Sequence, residues 1–191
     1  NANDFSKKTN FKNKNIHIIN TNKIINFLSK ICSKFYKLKP KNIIAVTGTN
    51  GKTSVADLFY QLFKINNIPS ASIWTLGIKY NNQIIKTDLT SPDTISIHES
   101  LAFLKKKKIE NVIIEASSHG LDQKRLHDIN FRGAIFTNFS QDHLDYHKTM
   151  NSYLKAKLAL FEDILKNKAS IISDREIKPF KQLSLIAKKK N

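Results

Sequence analysis

The feature that most constrains this chain is the run TGTNGKTS at positions 47–54, set between a short β-branched apolar run at 43–46 and a helix-patterned stretch marked by Val55, Leu58, Phe59, Leu62 and Phe63. Strand, glycine loop, helix is the local geometry of a phosphate cradle. Gly48 and Gly51 permit backbone shapes and close approach that a side chain would block, so successive amides can turn toward phosphate oxygens. Lys52 is placed to reach the outer phosphates, the Thr53 hydroxyl to hold Mg²⁺, and the helix N-terminus adds partial positive charge. The first glycine of the common P-loop pattern would fall at Val46, so this is a shorter variant beginning at Gly48. A glycine turn that binds nothing is the alternative, against which the Lys-Thr pair weighs.

The rest of the chain alternates in the same way. A short strand is expected at 16–19, a helix over 21–35 capped by Thr21 or Asn22, and strands at 71–74, 112–115, 134–137 and 171–172, with helices over 95–107 and 150–166. Asn81-Asn82 separates two runs that can pair as a hairpin. This order predicts an α/β domain with a mainly parallel sheet. Residues 1–15 are almost wholly polar and read as a loose lead-in. The run Lys188-Lys189-Lys190 reads as a solvated end.

Composition limits the functions on offer. With 32 Lys+Arg against 15 Asp+Glu the net charge is +17, which raises nucleic acid or an anionic membrane as partners. Nearly all of that charge is lysine scattered among Asn and Ile, without an arginine-rich or aromatic-interleaved groove, so neither nucleic acid nor membrane is expected. A single cysteine, Cys32, excludes an internal disulfide and fits a reducing, cytoplasmic setting.

Three further clusters carry chemistry. Glu115 and Ser117 should emerge at the carboxyl end of a strand, where open α/β sheets gather ligands, and a carboxylate near a P-loop suits Mg²⁺. A cap or turn role is the plainer reading of Glu115. In FTNFSQDHLDYH at 136–147, Asn138, Asp142, His143, Asp145 and His147 offer groups suited to nucleotide and metal contacts, although alone the segment reads as a polar loop. Lys157 shares a helix face with Tyr153, Leu154, Leu160, Phe161 and Ile164, whereas Lys155 does not. An inward lysine either snorkels to water or is a reactive amine of lowered pKa.

Taken together, TGTNGKTS, TSPD at 90–93, EASSHGL at 115–121 with Gln123 and Arg125, FTNFSQDHLDYH and YLKAK at 153–157 resemble the Mur ligases, and within them the MurE type. The resemblance implies the P-loop-type central domain of that family, truncated. It implies a remnant of the N-terminal UDP-binding domain and linker at 1–40, an incomplete ATP-binding domain at 41–173 and an atypical tail at 174–191, with the C-terminal domain absent. It implies ATP and Mg²⁺ as cofactors. Gly48, Thr49, Asn50, Gly51, Lys52, Thr53, Ser54 and Asn138 would then hold ATP. Thr90, Ser91, Ser117, Gln123 and Arg125 would hold the UDP-sugar peptide. Thr53, Glu115, His143 and a carbamylated Lys157 would serve the metal, with Lys52, Lys157 and His143 in catalysis.

The activity so implied is ATP-dependent addition of the third amino acid, meso-diaminopimelate or L-lysine, to UDP-N-acetylmuramoyl-L-alanyl-D-glutamate through an acyl phosphate, in a monomeric enzyme. The same loop and reaction occur in folylpolyglutamate synthases, which do not share the SSHGL and DHLDYH combination. A non-catalytic basic binding module is a third possibility, supported by net charge alone.

Overall fold

The computed structural model describes residues 21–74, 77–86 and 93–190. The strand expected at 16–19, the polar lead-in, Thr90 and Ser91 lie outside them. Seven strands form one sheet: β1 (Asn42–Thr47), β2 (Ser70–Trp74), β3 (Gly77–Tyr80), β4 (Gln83–Ile85), β5 (Asn111–Glu115), β6 (Gly133–Phe136) and β7 (Ser170–Ser173). Their order is β4-β3-β2-β5-β1-β6-β7. The β2-β5-β1-β6-β7 block is parallel, and β3 and β4 add antiparallel at one edge. Asn81 and Asn82 both take positive φ, 46° and 60°, as a tight primed turn between β3 and β4 requires.

The helices are α1 (Ile24–Phe35), α2 (Lys52–Ile65), α3 (Thr94–Lys106), α4 (Ser118–Asp122), α5 (Leu144–His147), α6 (Met150–Ala159), which runs into a π-helical turn at Leu160–Ile164, and α7 (Phe180–Lys190). Neither Thr21 nor Asn22 caps α1. The helix begins at Ile24 after Lys23, with no side-chain cap. Asp93 caps α3 by accepting from Ser96 N, and Thr149 caps α6 by accepting from Ser152 N.

The main core lies on the α3 and α6 side of the sheet, where Ile43, Leu101, Leu104, Ile114, Phe136 and Phe161 are withdrawn from water. Each such side chain contributes about 1.5–3 kcal/mol on burial. On α1 the apolar stripe does not face inward: Ile24, Ile31 and Phe35 are 69%, 45% and 77% exposed, and Ser29 and Cys32 are the buried residues. On α2, Ala56 and Tyr60 are buried while Leu58 and Leu62 face out. The segment after Ser173 ends in a helix, α7, and is not only a solvated end. Leu183 and Ile186 of α7 are buried in the core, and the Lys190 ammonium donates to Leu165 O.

Candidate active site

The sheet order decides what the glycine loop meets. β1 leads into the loop and β5 lies beside it in parallel, with Val46 opposite Glu115. The helix that follows therefore starts next to the Glu115 carboxylate, and Thr53 Oγ1 donates to Glu115 Oε2 at 3.0 Å. Gly51 stands at the N-terminus of α2 in the left-handed region, φ 78°, with no side chain capping the helix. Its first-turn amides and their partial charge are thus presented to an anion.

The loop is held from behind by the β6 continuation. Asn138 Oδ1 accepts from Asn50 N at 2.8 Å, Asn138 Nδ2 donates to Asn50 O at 3.1 Å, and Thr137 Oγ1 donates to Asn50 O at 2.6 Å. Both ends of the Asn138 carboxamide are engaged with the loop backbone. The Thr49 hydroxyl is a second anchor, donating to Ser140 O and accepting from Tyr153 Oη at 3.2 Å and from Ser140 N at 3.0 Å. Gly48, at φ 148°, passes so close to this scaffold that a Cβ there would lie 1.9 Å from Thr137 Oγ1. Only glycine fits.

Lys157 is 1% exposed and Lys155 is on the exposed side of α6. The Lys157 ammonium donates to Gly48 O at 2.6 Å and lies 4.4 Å from the Tyr153 ring centroid. Burial, with the nearby Lys52 charge adding to it and Asp142 opposing, brings its pKa down from the ordinary lysine value to about 7. Lys52 also folds onto the loop, donating to Gly48 O at 3.1 Å and Thr49 O at 2.8 Å. Two ammonium groups thus share one carbonyl.

These groups border a cavity of about 430 Å³ whose wall includes Lys52, Glu115, Ser117, His143 and Lys157, with Gln123 and Arg125 beside them. Ser117 Oγ accepts from Gly120 N at 3.1 Å as the cap of α4, which leaves its O–H to donate elsewhere. His143 enters from the turn before α5 in the left-handed region, φ 50°, its backbone N–H donating to Asp142 Oδ1. Asp142 stands next to it in the chain. Asp145 lies within α5, and His147 is buried at its end. Ser54 sits in the exposed first turn of α2.

Sequence reasoning passed over three residues here. Trp74 and His119 border the same cavity. His119 packs its ring against those of His143 at 4.9 Å and Tyr146 at 4.2 Å between centroids. Tyr153 was read as an inward-facing residue, without its hold on the loop. Trp74 ends β2 and could have been found from the rule that ligands gather at carboxyl ends of strands.

No group of three or more His, Cys, Asp or Glu side chains able to hold a metal occurs among the described residues. A cation here would depend on few protein oxygens. The Thr53 hydroxyl and the Glu115 carboxylate, 3.0 Å apart beside a phosphate loop, fit Mg²⁺, which keeps waters and takes one or two carboxylates with substrate phosphates.

A parallel sheet, a glycine loop after its central strand and a carboxylate on the neighbouring strand define a P-loop nucleotide-binding domain. Residues 46–191 match the Mur ligase middle domain, and the chain belongs to that family. It is 42% identical over 139 residues to the UDP-N-acetylmuramoyl-L-alanyl-D-glutamate--2,6-diaminopimelate ligase of Rhizobium meliloti, covering 73% of this chain and 29% of that protein. Against the same ligase of Rickettsia bellii it is 42% identical over 173 residues, covering 84% and 36%. The chain thus spans about a third of the length of these relatives.

Among solved structures, a UDP-N-acetylmuramoyl-L-alanyl-D-glutamate--2,6-diaminopimelate ligase superposes with TM-score 0.73 at 30% identity, covering 86% of this chain and 33% of that one. The folylpolyglutamate synthase of Mycobacterium tuberculosis, complexed with ADP, gives TM-score 0.67 at 15% identity, covering 85% and 44%. At that identity the second likeness concerns the fold alone.

Proposed function

We propose that this chain is the nucleotide-binding part of an ATP-dependent ligase of peptidoglycan synthesis, which joins an amino acid to UDP-N-acetylmuramoyl-L-alanyl-D-glutamate. The observation that carries this reading is that the P-loop lysine, Glu115, the Ser117–Gln123–Arg125 group and a buried lysine border one cavity. Two anions must meet for the reaction, a nucleoside triphosphate and a substrate carboxylate. Lys52 and Arg125 supply fixed positive charge on the cavity wall, which lowers the repulsion between them.

In this reading the loop from Gly48 to Ser54 and the start of α2 bind the phosphates, with Lys52 toward the outer ones and Asn138 and Thr137 fixing the loop's shape. Thr53 and Glu115 would hold Mg²⁺, with His143 and a carbamate of Lys157 as the further groups that would face it. When bound, the metal would screen phosphate charge. Ser117, Gln123 and Arg125, with Thr90 and Ser91, orient the UDP-linked peptide so that its carboxylate oxygen attacks the γ-phosphorus and displaces ADP. The amine of the incoming amino acid then attacks the resulting acyl phosphate, and phosphate leaves. The protein's part is positioning and charge stabilisation.

The relatives are named for 2,6-diaminopimelate, and this reading carries that amino acid to the whole protein. Cell-wall synthesis, and through it cell shape and division, is the setting, with the enzyme a cytoplasmic monomer. No helix among the described residues is long and apolar enough to cross a membrane.

Calorimetry tests the assignment. The chain should bind Mg-ATP, and Lys52→Ala should weaken that binding at least tenfold, as loss of a charge-assisted contact of about 1.5–3 kcal/mol implies. Unchanged ATP affinity in Lys52→Ala would sink it. Preference for a folate polyglutamate over the UDP-muramoyl dipeptide would move the protein to the rival ligase class.

A further inference from the structure

Gln123 and Arg125 border the cavity, and neither is placed there by its own backbone alone. The Arg125 guanidinium donates to Gln123 Oε1. Gln123 Nε2 in turn donates to the Tyr146 hydroxyl at 3.3 Å, and that hydroxyl donates to Asp122 Oδ2 at 2.9 Å. The direction of every link is fixed by its ends. A guanidinium can only donate and an ionised carboxylate can only accept, so the hydroxyl proton must point to Asp122 and the amide must turn its oxygen to Arg125. With the amide flipped, Nε2 would face the guanidinium, donor against donor. Tyr146 is the middle member, and it comes from a different segment than the other three: it lies on α5, three residues past His143, while Asp122 ends α4 and Gln123 and Arg125 follow it. Its ring is also seated on His119 at 4.2 Å.

We infer that Tyr146 is a positioning residue, which through Gln123 sets the Arg125 guanidinium for a ligand carboxylate or phosphate and ties that anion-recognising group to the His143 segment. The inference rests on the reading of this cavity as the site of the UDP-muramoyl dipeptide. Pre-set geometry matters for such a pair because an arginine left to its own rotamers loses side-chain freedom when an anion binds. Removing the hydroxyl leaves the ring packing on His119 intact, so Tyr146→Phe isolates the hydrogen bonds. Asp122→Asn is the companion variant. It replaces the acceptor that orients the hydroxyl by a group that can also donate, and so releases the hydroxyl's direction, and with it the acceptor that Gln123 Nε2 meets, without removing the tyrosine.

Two readouts on the chain test this. In the ligand-free protein, the side-chain amide resonances of Gln123, observed by ¹⁵N-labelled NMR, should shift in Tyr146→Phe; unchanged resonances would overturn the relay, whatever the ligand is. By calorimetry, Tyr146→Phe should bind UDP-N-acetylmuramoyl-L-alanyl-D-glutamate about fivefold more weakly, the order expected for one neutral hydrogen bond, and Mg-ATP as well as the wild type does. Asp122→Asn should move both readouts in the same direction. Equal dipeptide affinity in wild type and Tyr146→Phe, or an equal loss of ATP binding that marks a general structural defect, would refute the positioning role. A wild-type chain that ignores the dipeptide while Gln123 still shifts in the variant would remove the substrate reading and leave the relay standing.

Discussion

Taking an ammonium out of water costs free energy, and Lys157 recovers only part of it from Gly48 O at 2.6 Å and the face of Tyr153. Its lowered pKa, about 7, means that a sizeable fraction of the amine is neutral at physiological pH, the form that can take up CO₂ as a carbamate. In a length of this enzyme that turns over, Lys157→Ala should lose most activity and regain part of it with short added carboxylates. Lys155→Ala, on the exposed side of the same helix, should stay close to wild type in the same phosphate-release assay. A second buried base tests the core. His98 is 0% exposed, and burial, with the Lys39 charge adding to it and a hydrogen bond to the His127 backbone opposing, depresses its pKa from 6.5 to about 4. The folded state binds that proton less well than the unfolded chain, so stability present above pH 6.5 is lost as pH falls toward 4. Urea unfolding should show a loss of about 2 kcal/mol across this window that is absent in His98→Leu.

Among the elements, the glycine loop separates two roles of glycine. At Gly48 a Cβ would meet Thr137 Oγ1 at 1.9 Å and Asn138 N at 3.0 Å, whereas at Gly51 nothing lies within 4 Å. Gly51→Ala should therefore cost only the left-handed backbone conformation, about 1 kcal/mol. Gly48→Ala should cost more than about 2 kcal/mol and displace the loop, and the difference in urea midpoint between the two variants checks it. The strands and the Asn-Asn hairpin were readable because alternation and turn chemistry are local. The buried faces of α1 and α2 were not. In α2 the periodic residues Leu58 and Leu62 are 56% and 60% exposed, while Ala56 and Tyr60 face the sheet. Periodicity finds a helix but does not say which of two apolar flanks meets the strands. α7 escaped notice for a related reason. Its lysine-rich end masks the pair Leu183 and Ile186, which only the neighbouring π-helical turn and Leu165 make into core.

For the molecule as a whole, the charge of +17 favours anionic ligands of any kind, and the cavity narrows that general attraction to one place. The chain spans 29% and 36% of two relatives' lengths. If the proposed ligase reading holds, the 191-residue polypeptide, which spans about a third of its relatives' length, should bind Mg-ATP yet yield no UDP-muramoyl tripeptide. Product detected by mass spectrometry from this polypeptide alone would contradict that expectation.

By itself the sequence determined the glycine loop between strand and helix, the alternation of strands and helices, and the inward direction of Lys157, because each is set by a few neighbouring residues through backbone freedom or helical period. It also placed Glu115 at a strand end. The tertiary structure alone decided that Val46 and Glu115 are opposite one another, that Asn138 and Tyr153 hold the loop at Gly48 and Thr49, and that Tyr146 reaches Gln123. These pairings depend on which strand is inserted beside which. That choice is made by the burial of whole sheet faces and by the handedness of crossovers, and no short stretch of chain carries it.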